Sequence, residues 1–411
     1  MKLGLENITS VLNSLGNPQE KFPAVLVAGT NGKGSVSSFI SSILRRAGLK
    51  TGTFYSPHLF RINERIQIDG REIPSQILDD YLGELRKNYH RRPFTFFEGV
   101  TAAAVLYFLE SKVDIAVFEV GLGGRLDATR LVNAVISVIT GISIDHSRHL
   151  GETREQILRE KLGVVKRGVP AVVNLSAPAL CRAAADYCSE QQAAMVNAAE
   201  AVETEFVKIT PEKMLFSLKT DSYDYGVVES QIIGRHQMKN AATAVKSVEL
   251  LAEKSGTEYF DSVREGIKRG YLPGRFQISA VGPGIIMDVS HNEESLLGSL
   301  STLREISPPD RNIIVFGCME RKDLGKFPAE VVKTARRIFL APLSHSGAAS
   351  EEELRKRFSP GAEQPGVPSA EVTLCKNMEE AIYMSRNLLK EDEYMLVLGS
   401  HHAVEEAVSY L

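Results

Sequence analysis

The sequence has few cysteines, no excess of positive charge and no long apolar run, and each of these absences excludes a class of protein. The 411 residues include only four cysteines, which lack metal-ligand spacing and are too few for a disulfide framework. The net charge of −3 offers no basic face to a nucleic acid. The longest uncharged apolar run, residues 133–144, is too short to cross a bilayer, and the first residues lack the apolar core of a signal peptide. These absences predict a cytoplasmic protein with neither a nucleic-acid nor a membrane partner.

The composition and length of the chain are typical of an ordinary globular protein with two domains. Hydrophobic residues make up 43% and charged residues 24% of the chain, and 411 residues exceed the size at which a single core stops growing. Proline and glycine interrupt the pattern at residues 270–275 (Gly-Tyr-Leu-Pro-Gly-Arg), where a predicted helix ends. We therefore predict one domain over residues 1–275 and a second over residues 276–411.

Strand-like and helix-like segments alternate along most of the chain, which is typical of an α/β fold. Near-continuous apolar segments such as residues 115–118 (Ile-Ala-Val-Phe) favour a parallel sheet covered on both faces. Alternating segments between residues 203 and 230 predict small antiparallel hairpins. The sequence thus predicts an α/β protein: a P-loop ATPase-like domain with a mainly parallel sheet and small antiparallel hairpins, followed by a smaller Rossmann-like α/β domain.

The individual elements are predicted from apolar periodicity and from the turn residues that separate them. The predicted strands cover residues 23–28, 50–54, 113–120, 133–141, 169–174, 284–289, 312–317, 337–341 and 394–399. The predicted helices cover residues 36–47, 75–90, 97–111, 153–166, 177–192, 236–255, 262–269, 293–306, 329–335, 378–389 and 403–410. Residues 344–369, rich in proline, glycine, serine and glutamate, are predicted to include a mobile surface loop.

The most informative segment is the glycine-rich run of residues 29–35 (Gly-Thr-Asn-Gly-Lys-Gly-Ser), between a predicted strand and a predicted helix. Glycines let backbone N–H groups close around a phosphate, and the helix N-terminus adds partial positive charge. Lys33 supplies a full positive charge, and Ser35 can place its hydroxyl on a magnesium ion. The run departs from the common phosphate-loop pattern, since Val27 replaces the first glycine and Gly34 separates the lysine from the serine. The alternative is a glycine-rich turn with a solvated lysine.

Polar residues after other predicted strands are further candidates. Glu119 ends a strongly apolar strand, where its carboxylate could bind Mg²⁺ directly or through water, or could cap a turn. His146 follows another strand and is either a metal ligand or a structural hydrogen-bonding residue. Lys161 lies on a predicted helix, where a solvated lysine is the simpler interpretation. Residues 56–59 (Ser-Pro-His-Leu) form a polar loop consistent with substrate contacts or with a charged surface.

Taken together, these motifs resemble those of one family, the bacterial folylpolyglutamate synthases/dihydrofolate synthases, a branch of the Mur ligase superfamily. The Ser-Pro-His-Leu loop and the run of residues 121–129 (Gly-Leu-Gly-Gly-Arg-Leu-Asp-Ala-Thr) separate this folate branch from the cell-wall ligases. The resemblance extends from about residue 4 to the C-terminus. The segments that carry it, in chain order, are residues 29–35, 56–59, 63–65, 119–129, 145–146, 160–161, 236–237, 240–241, 272–275, 288 and 291–292.

The resemblance implies an ATP-dependent ligase that adds L-glutamate to dihydropteroate, to reduced folates or to both, through an acyl phosphate. It implies ATP and Mg²⁺ as requirements, and we expect a monomer. The groups implied to be catalytic are Lys33, Lys161, His146 and Glu119. The residues implied to coordinate Mg²⁺, directly or through water, are Ser35, Ser56, Glu119 and His146, with a second metal on a carbamylated Lys161.

The resemblance also implies the contacts to nucleotide and substrate. The ATP phosphates would be held by Asn31, Gly32, Lys33, Gly34 and Ser35. Asn240, Arg275 and Asp288 match nucleotide-contacting positions, which implies that ATP lies between the two domains. The pterin-binding region of the family matches Thr95, Phe96, Phe97 and Glu98, with further substrate contacts implied for Arg125 and Asp127; ordinary helix-start core is the alternative for these phenylalanines.

Several segments depart from the family pattern, and three other functions remain open. Arg130 stands where the family usually has asparagine, and residues 288–292 read Asp-Val-Ser-His-Asn instead of Asp-Gly-Ala-His-Asn. The alternatives are a folylpolyglutamate synthase alone, a Mur-type cell-wall amino-acid ligase, and a non-catalytic P-loop nucleotide-binding module. A cell-wall ligase would accept UDP-linked substrates, whereas a binding module would bind nucleotide without glutamate-dependent release of phosphate.

Overall fold

The computed structural model describes residues 4–89, 94–256, 259–279, 282, 284–358 and 370–411. The chain divides into two compact units, each discontinuous in sequence. Unit 1 takes the chain through Phe206, then Leu215–Ser230 and Gln237–Tyr271. Unit 2 takes Val207–Met214, Gln231–His236 and the chain from Leu272 onward. The boundary between residues 275 and 276 stays a prediction.

The helices and strands follow the predicted alternation. The helices are α1 (Glu6–Ser14), α2 (Lys33–Arg46), α3 (Ser75–Asn88), α4 (Phe96–Glu110), α5 (Ser147–Leu150), α6 (Arg154–Leu162), α7 (Pro178–Glu190), α8 (Ala198–Ala201), α9 (His236–Ser255), α10 (Phe260–Arg269), α11 (Glu293–Ile306), α12 (Phe327–Val331), α13 (Glu351–Arg357), α14 (Met378–Leu388) and α15 (His401–Val408). Short 3₁₀ helices cover Pro18–Glu20, Ile62–Arg65, Ala128–Leu131 and Pro309–Arg311. The strands are β1 (Ala24–Ala28), β2 (Thr51–Phe54), β3 (Ile66–Ile68), β4 (Arg71–Glu72), β5 (Ile115–Glu119), β6 (Ala134–Ile139), β7 (Ala171–Val173), β8 (Met195–Asn197), β9 (Val202–Ile209), β10 (Met214–Thr220), β11 (Asp224–Ser230), β12 (Gln277–Ile278), β13 (Ile285–Met287), β14 (Asn312–Phe316), β15 (Arg337–Leu340), β16 (Glu371–Leu374) and β17 (Tyr394–Leu398).

Unit 1 is built on an eight-stranded sheet in the order β4-β3-β2-β5-β1-β6-β7-β8. In this order the strands from β2 to β8 run parallel, while β3 and β4 add an antiparallel edge. The central strands β1 and β5 are buried along their whole length, as a parallel sheet covered on both faces requires. Their core includes a cluster of four phenylalanines in edge-on or tilted contact: Phe22, Phe54, Phe108 and Phe118.

The predicted hairpins form a separate three-stranded sheet in the order β11-β10-β9. Strand β10 alternates buried and half-exposed residues, since only one of its faces is covered. A buried polar network joins this sheet to α9. Lys246, 3% exposed, lies 3.1 Å from the Glu249 carboxylate, which also accepts hydrogen bonds from Thr220 and Tyr225. All three groups donate hydrogen bonds to the Glu249 carboxylate, which compensates for the burial of its charge.

Unit 2 contains a six-stranded sheet in the order β12-β13-β17-β14-β15-β16. All of its pairings are parallel except that of β12 with β13. Strands β14 and β17 are buried almost throughout, as expected for the centre of such a sheet. The predicted fold class, a mainly parallel α/β domain with antiparallel hairpins and a smaller α/β domain, is confirmed.

One helix was not predicted from the sequence. Residues 344–369 were predicted to include a mobile surface loop, which stays a prediction, and α13 also lies within this stretch. The Ser350 hydroxyl accepts from the Glu353 backbone N–H, and the Glu353 carboxylate accepts from the Ser350 backbone N–H, which caps the helix. Three glutamates in its first turn and three basic residues in its last turn match the helix dipole. The biased composition concealed this pattern; residues 359–369, and the predicted helix end at His90, lie outside the described residues.

None of the helices in the described part of the chain has the length and apolar character needed to cross a membrane.

Replacing Phe108 tests the core of unit 1. This ring is fully buried against Phe22 and Phe118, so Phe108→Ala is expected to lower the free energy of unfolding by about 3–5 kcal/mol, measured by chemical denaturation. Phe96→Ala is the matched control on the same helix, because Phe96 is 56% exposed and its loss should change stability by less than about 0.5 kcal/mol. Equal effects of the two substitutions would contradict this description of the core.

Candidate functional site

Four neighbouring strands of the unit 1 sheet end at the predicted site. In the order β2-β5-β1-β6 they run parallel, so that their carboxyl ends lie at the same edge. Residues 55–59 follow β2, Glu119 ends β5, the glycine-rich run follows β1, and Asp145 with His146 follows β6. Ligands bind at this edge in open parallel sheets. The structure therefore brings together segments that are up to 117 residues apart in sequence, from Gly29 to His146.

The glycine-rich loop is held by the segment that follows β6. Gly29 has φ of +152°, and a Cβ there would lie 1.8 Å from the Thr140 hydroxyl oxygen, so no other residue fits. The Thr140 hydroxyl donates to the backbone oxygen of Asn31 at 2.6 Å, and the Asn31 amide donates to the Ser143 hydroxyl at 3.1 Å. The loop is thus fixed on its β6 side, where Asn31 has a structural contact beside its predicted role at the phosphates.

Gly32 is the residue that precedes α2 and has φ of +85°. A Cβ at this position would lie 2.3 Å from the Asn240 side-chain oxygen, so the start of α9 approaches the loop closely. Asn240 is 9% exposed and donates through its amide to the Gln237 side-chain oxygen at 2.8 Å. The sequence assigned Asn240 to nucleotide contact, and the structure places it beside the loop. It also shows that Gln237 orients it, which the spacing alone did not reveal.

The remaining loop residues begin α2. Lys33 donates from Nζ to the Thr30 backbone oxygen at 3.1 Å, so its ammonium lies back over the loop. Gly34 and Ser35 are buried in the first turn of the helix. The residue Ser35 is only 2% exposed, and its position in the first turn of α2 suits its hydroxyl to a ligand oxygen or a metal ion.

Lys161 reaches the same loop from α6. Its Nζ donates to the Gly29 backbone oxygen at 2.7 Å, and the side chain is buried. Burial lowers the pKa of Lys161 to about 7; the nearby positive charge of Lys33 acts in the same direction, whereas the carboxylates of Asp145 and Asp127 oppose it. The amine is therefore partly neutral near pH 7. The solvated lysine that the sequence left as the simpler interpretation does not describe this side chain.

The carboxylate of Glu119 lies between the ends of β2 and β1. It is 4% exposed, and its Oε2 accepts from the Ser56 backbone N–H at 3.2 Å. His146 has φ of +52°, and its half-exposed ring lies 3.9 Å from the Asp145 carboxylate. Across the described residues, no three histidine, cysteine, aspartate or glutamate side chains form a metal-binding group. The predicted ligand set contains only two such residues, Glu119 and His146, so its assignment stays a prediction.

Two of the predicted pterin-binding residues stabilise the start of α4. The Thr95 backbone N–H donates to Glu98 Oε2 at 2.7 Å, and the Glu98 backbone N–H donates to the Thr95 hydroxyl at 3.3 Å. The other oxygen of Glu98 accepts from the Ile8 backbone N–H at 3.2 Å. Phe97 packs edge-on against Phe54 with ring centroids 5.9 Å apart, whereas Phe96 is 56% exposed. Of these four residues, Phe96 alone presents most of its side chain to solvent.

The predicted substrate contacts Arg125 and Asp127 also have local partners. Asp127 accepts from the Leu122 and Thr129 backbone N–H groups at 2.9 and 3.0 Å and from the Thr129 hydroxyl. The pKa of Asp127 is raised, because the effect of burial exceeds the opposite effect of these hydrogen bonds. The Arg125 guanidinium forms an ion pair with Glu160 at 3.0 Å, next to Lys161. Their substrate roles stay predictions, since these contacts hold the loop that follows β5.

Arg275 and Asp288 lie in unit 2. Asp288 follows β13, is 5% exposed and accepts from the Ser290 backbone N–H at 2.8 Å. Arg275 lies close enough to His401 for its charge to lower the pKa of that ring, after burial and the neighbouring His291. The rings of His291 and His401 are 5.9 Å apart. The sequence analysis did not single out His401, whose position beside His291 and Arg275 depends on the tertiary structure.

Comparisons with known proteins agree with the resemblance in the motifs. The Mur ligase middle domain family matches residues 27–248, and the Mur ligase glutamate ligase domain family matches residues 274–401. The chain is 32% identical to the dihydrofolate synthase/folylpolyglutamate synthase of Escherichia coli (strain K12), over 100% of this chain and 91% of that protein.

Solved structures are similar over the whole chain. The E. coli FolC structure in complex with DHPP and ADP has a TM-score of 0.86 at 29% identity and covers 100% of this chain and 93% of that one. A bifunctional folylpolyglutamate synthase/dihydrofolate synthase with Mn, AMPPNP and L-glutamate bound has a TM-score of 0.84 at 28% identity, covering 100% of this chain and 94% of that one.

Replacing Gly32 tests the contact between the loop and Asn240. Gly32→Ala should lower the free energy of unfolding by roughly 1–2 kcal/mol through backbone strain, and should weaken binding of ADP by about 10-fold or more, because the new Cβ displaces Asn240. Gly48→Ala is the matched control just beyond the other end of α2. Gly48 has φ of +87°, and no atom lies within 4 Å of the place its Cβ would take, so it shares only the strain. Calorimetric titration with ADP separates the two; an unchanged affinity in Gly32→Ala would contradict this arrangement of the loop.

The lowered pKa of Lys161 predicts a pH-dependent stability. Between pH 7 and 10.5 the unfolded chain keeps a proton on Lys161 that the folded chain has lost, so this group makes stability rise with pH in that window. Relative to Lys161→Met, the wild-type free energy of unfolding should increase by up to about 1.4 kcal/mol per pH unit. Denaturation in CO₂-free buffer from pH 7 to 9 measures this difference. A difference that does not change with pH would show that the amine keeps its ordinary pKa.

Proposed function

Because the chain belongs to the dihydrofolate synthase/folylpolyglutamate synthase family of Mur ligases, we propose that it is an ATP-dependent ligase joining L-glutamate to the carboxylate of dihydropteroate, of a reduced folate, or of both. The observation that carries the proposal is the meeting of the glycine-rich loop, Lys33, Lys161 and Glu119 at one edge of a parallel sheet. The relatives support it by name, and the solved structures support it through the ADP, DHPP and L-glutamate bound in them.

The reaction has two steps. A carboxylate oxygen of the pterin substrate attacks the γ-phosphorus of ATP; the bond to the β-phosphate oxygen breaks, which gives an acyl phosphate and ADP. The amine of L-glutamate then attacks the acyl carbon, loses a proton, and phosphate leaves as the amide forms. The first step needs positioning and neutralisation of charge more than covalent help from the protein.

The residues of the loop would bind and orient the triphosphate. The backbone N–H groups of the first turn of α2 would bind the phosphates, and Lys33 would add a full positive charge beside them. Asn240, next to Gly32, would contact the nucleotide from α9. Arg275 and Asp288 are the proposed nucleotide contacts of unit 2, where the side chain of Asp288 is held by the N–H of Ser290.

The residues present fit a magnesium ion. Glu119 and Ser35 are both buried residues, and their carboxylate and hydroxyl oxygens are of the kind that Mg²⁺ prefers. Ser56 supplies a second hydroxyl. His146 is the weakest of the proposed ligands, since it offers a nitrogen and is half-exposed. When bound, the ion would neutralise negative charge on the transferring phosphoryl group.

Lys161 is the proposed site of carbamylation. A neutral amine is the form that reacts with CO₂: a C–N bond forms, one proton leaves, and an anionic carbamate replaces the ammonium. Burial, which lowers the pKa of this amine to about 7, supplies that neutral form near physiological pH. The resulting anion would lie beside the glycine-rich loop, where a second cation could bind it.

The substrate is proposed to bind near residues 56–59 and Phe96. Dihydropteroate and reduced folates share the pterin and aminobenzoyl rings, which an exposed aromatic side chain can stack against. They differ in what bears the reacting carboxylate, a benzoate ring or a flexible glutamyl tail. One site can serve both only if the rings bind in two placements, so the dual activity is the more demanding proposal. A monomeric, cytoplasmic enzyme without a nucleic-acid partner is proposed as well.

Glutamate incorporation measures the proposed activity. The purified protein is assayed with ATP, Mg²⁺, L-glutamate and one of three acceptors: dihydropteroate, a reduced folate or a UDP-linked cell-wall precursor. Turnover with the first two is expected, with loss of roughly 10²–10³-fold in Lys33→Ala. Lys21→Ala, an exposed lysine ahead of β1, is the matched control and should keep full activity. Turnover of a reduced folate alone would reject the dual activity; turnover of the UDP-linked acceptor alone would reject the family assignment of substrate.

A further inference from the structure

Arg65 is a buried cation to which the proposed reaction assigns no role. It ends the 3₁₀ helix Ile62–Arg65, immediately before β3, and only 8% of the residue is exposed. Its backbone oxygen accepts from the Tyr55 N–H at 2.9 Å, which fixes the main chain against the end of β2. A guanidinium so deeply buried is costly unless charged or polar groups surround it.

The side chain of Arg65 lies among residues of the proposed pterin site. Its Nε donates to His58 Nδ1 at 2.8 Å, within the Ser-Pro-His-Leu loop. Its central carbon lies 5.5 Å from the centre of the Phe96 ring, a cation–π contact. The charge of Glu119 also acts on it, and so does that of Glu64. Arg65 thus connects the loop after β2, the exposed aromatic ring and the carboxylate that ends β5.

The carboxylates near Arg65 do not occupy its two terminal nitrogens. Glu64 accepts instead from three successive backbone N–H groups, those of Leu59, Phe60 and Arg61, at 2.7 to 2.9 Å. Neither Nη1 nor Nη2 of Arg65 forms a hydrogen bond or an ion pair with any residue in the described ranges. The planar fork of donors at the end of this largely buried side chain matches the geometry of a carboxylate or phosphate.

We propose that the Nη groups of Arg65 bind the reacting carboxylate of the acceptor substrate, an aryl carboxylate whose ring lies against Phe96. This inference rests on the proposed function and names the residue that would recognise the carboxylate. The ring and the acid group of such a ligand match the two features that meet here, an aromatic face more than half exposed and a fork of cationic donors.

The order of strands favours the acceptor over ATP as the ligand of Arg65. The glycine-rich loop follows β1, and β5 with Glu119 separates it from β2 and β3, to which Arg65 is attached. Arg65 therefore approaches Glu119 from the side opposite the phosphate loop. A carboxylate held there would lie beside Glu119, so that the acceptor and the nucleotide approach from different sides of the same strand.

A pair of ligands that differ only in the carboxylate tests this proposal. Binding of dihydropteroate and of its descarboxy analogue, 6-(anilinomethyl)-7,8-dihydropterin, is measured by calorimetric titration with ADP and Mg²⁺ present. Arg65→Gln should weaken binding of dihydropteroate by about 10- to 100-fold, as loss of a hydrogen bond between charged groups does, and should leave the analogue within about twofold. The matched control is Arg61→Gln in the same 3₁₀ segment, because Arg61 is exposed and pairs with Glu72; both ligands should bind it as they bind the wild type.

The other possible results of this experiment would overturn either the role of Arg65 or the proposed function. Equal weakening of both ligands in Arg65→Gln would overturn the proposal, since it would mean that Arg65 only positions the loop or Phe96; no weakening of either would overturn it too. If Arg65→Gln does not fold, Arg65→Lys decides in its place, with a smaller loss for dihydropteroate alone. Failure of the wild type to bind dihydropteroate, together with absent glutamate incorporation, would reject the proposed function itself.

Discussion

The parallel pairing of β2, β5, β1 and β6 is the constraint on which the candidate site depends. Parallel strands cannot be joined by tight turns, so β1, β5 and β6 are each followed by a crossover, and the connection from β2 to its antiparallel neighbour β3 begins at the same edge of the sheet. Four separate loops therefore start within reach of one another. The glycine-rich loop lies near the middle of this edge, with Glu119 on one side and the residues after β6 on the other.

Two lysines lie at this edge of the sheet, and the pKa of one of them, Lys161, is lowered. Lys33 and Lys161 both donate to backbone oxygens of the same loop, Thr30 and Gly29, and their charges repel. Burial lowers the pKa of Lys161 to about 7, so that this amine is partly neutral near pH 7, while Lys33 extends from the start of α2. The two lysines of this loop thus meet different environments, which agrees with the separate roles proposed for them, phosphate binding by Lys33 and carbamylation of Lys161.

Several motif residues stabilise the site and do not point into it. Glu98 and Thr95 cap α4, and Asp127 accepts three hydrogen bonds that close the loop after β5. Glu64 accepts from the backbone N–H groups of Leu59, Phe60 and Arg61, which fixes the end of the Ser-Pro-His-Leu loop and the two residues after it. A family motif therefore does not distinguish residues that stabilise a loop from residues proposed to contact the ligand.

The sequence by itself determined the order and type of most elements, because burial on both faces gives the central strands unbroken apolar runs and because glycine, proline and capping residues mark their ends. It also predicted the glycine-rich loop between β1 and α2, whose glycines, lysine and serine are contiguous. Helix α13 was not predicted from the sequence, because its polar composition resembles that of a loop unless the charges and the Ser350 cap are considered together. Only the tertiary structure decided that Lys161 is buried against Gly29, that Asn240 contacts Gly32, and that Arg65 keeps two donors unpaired beside Glu119 and Phe96. Each of these depends on contacts between segments far apart in the chain, and local periodicity carries no information on the desolvation or the charges that a side chain meets there.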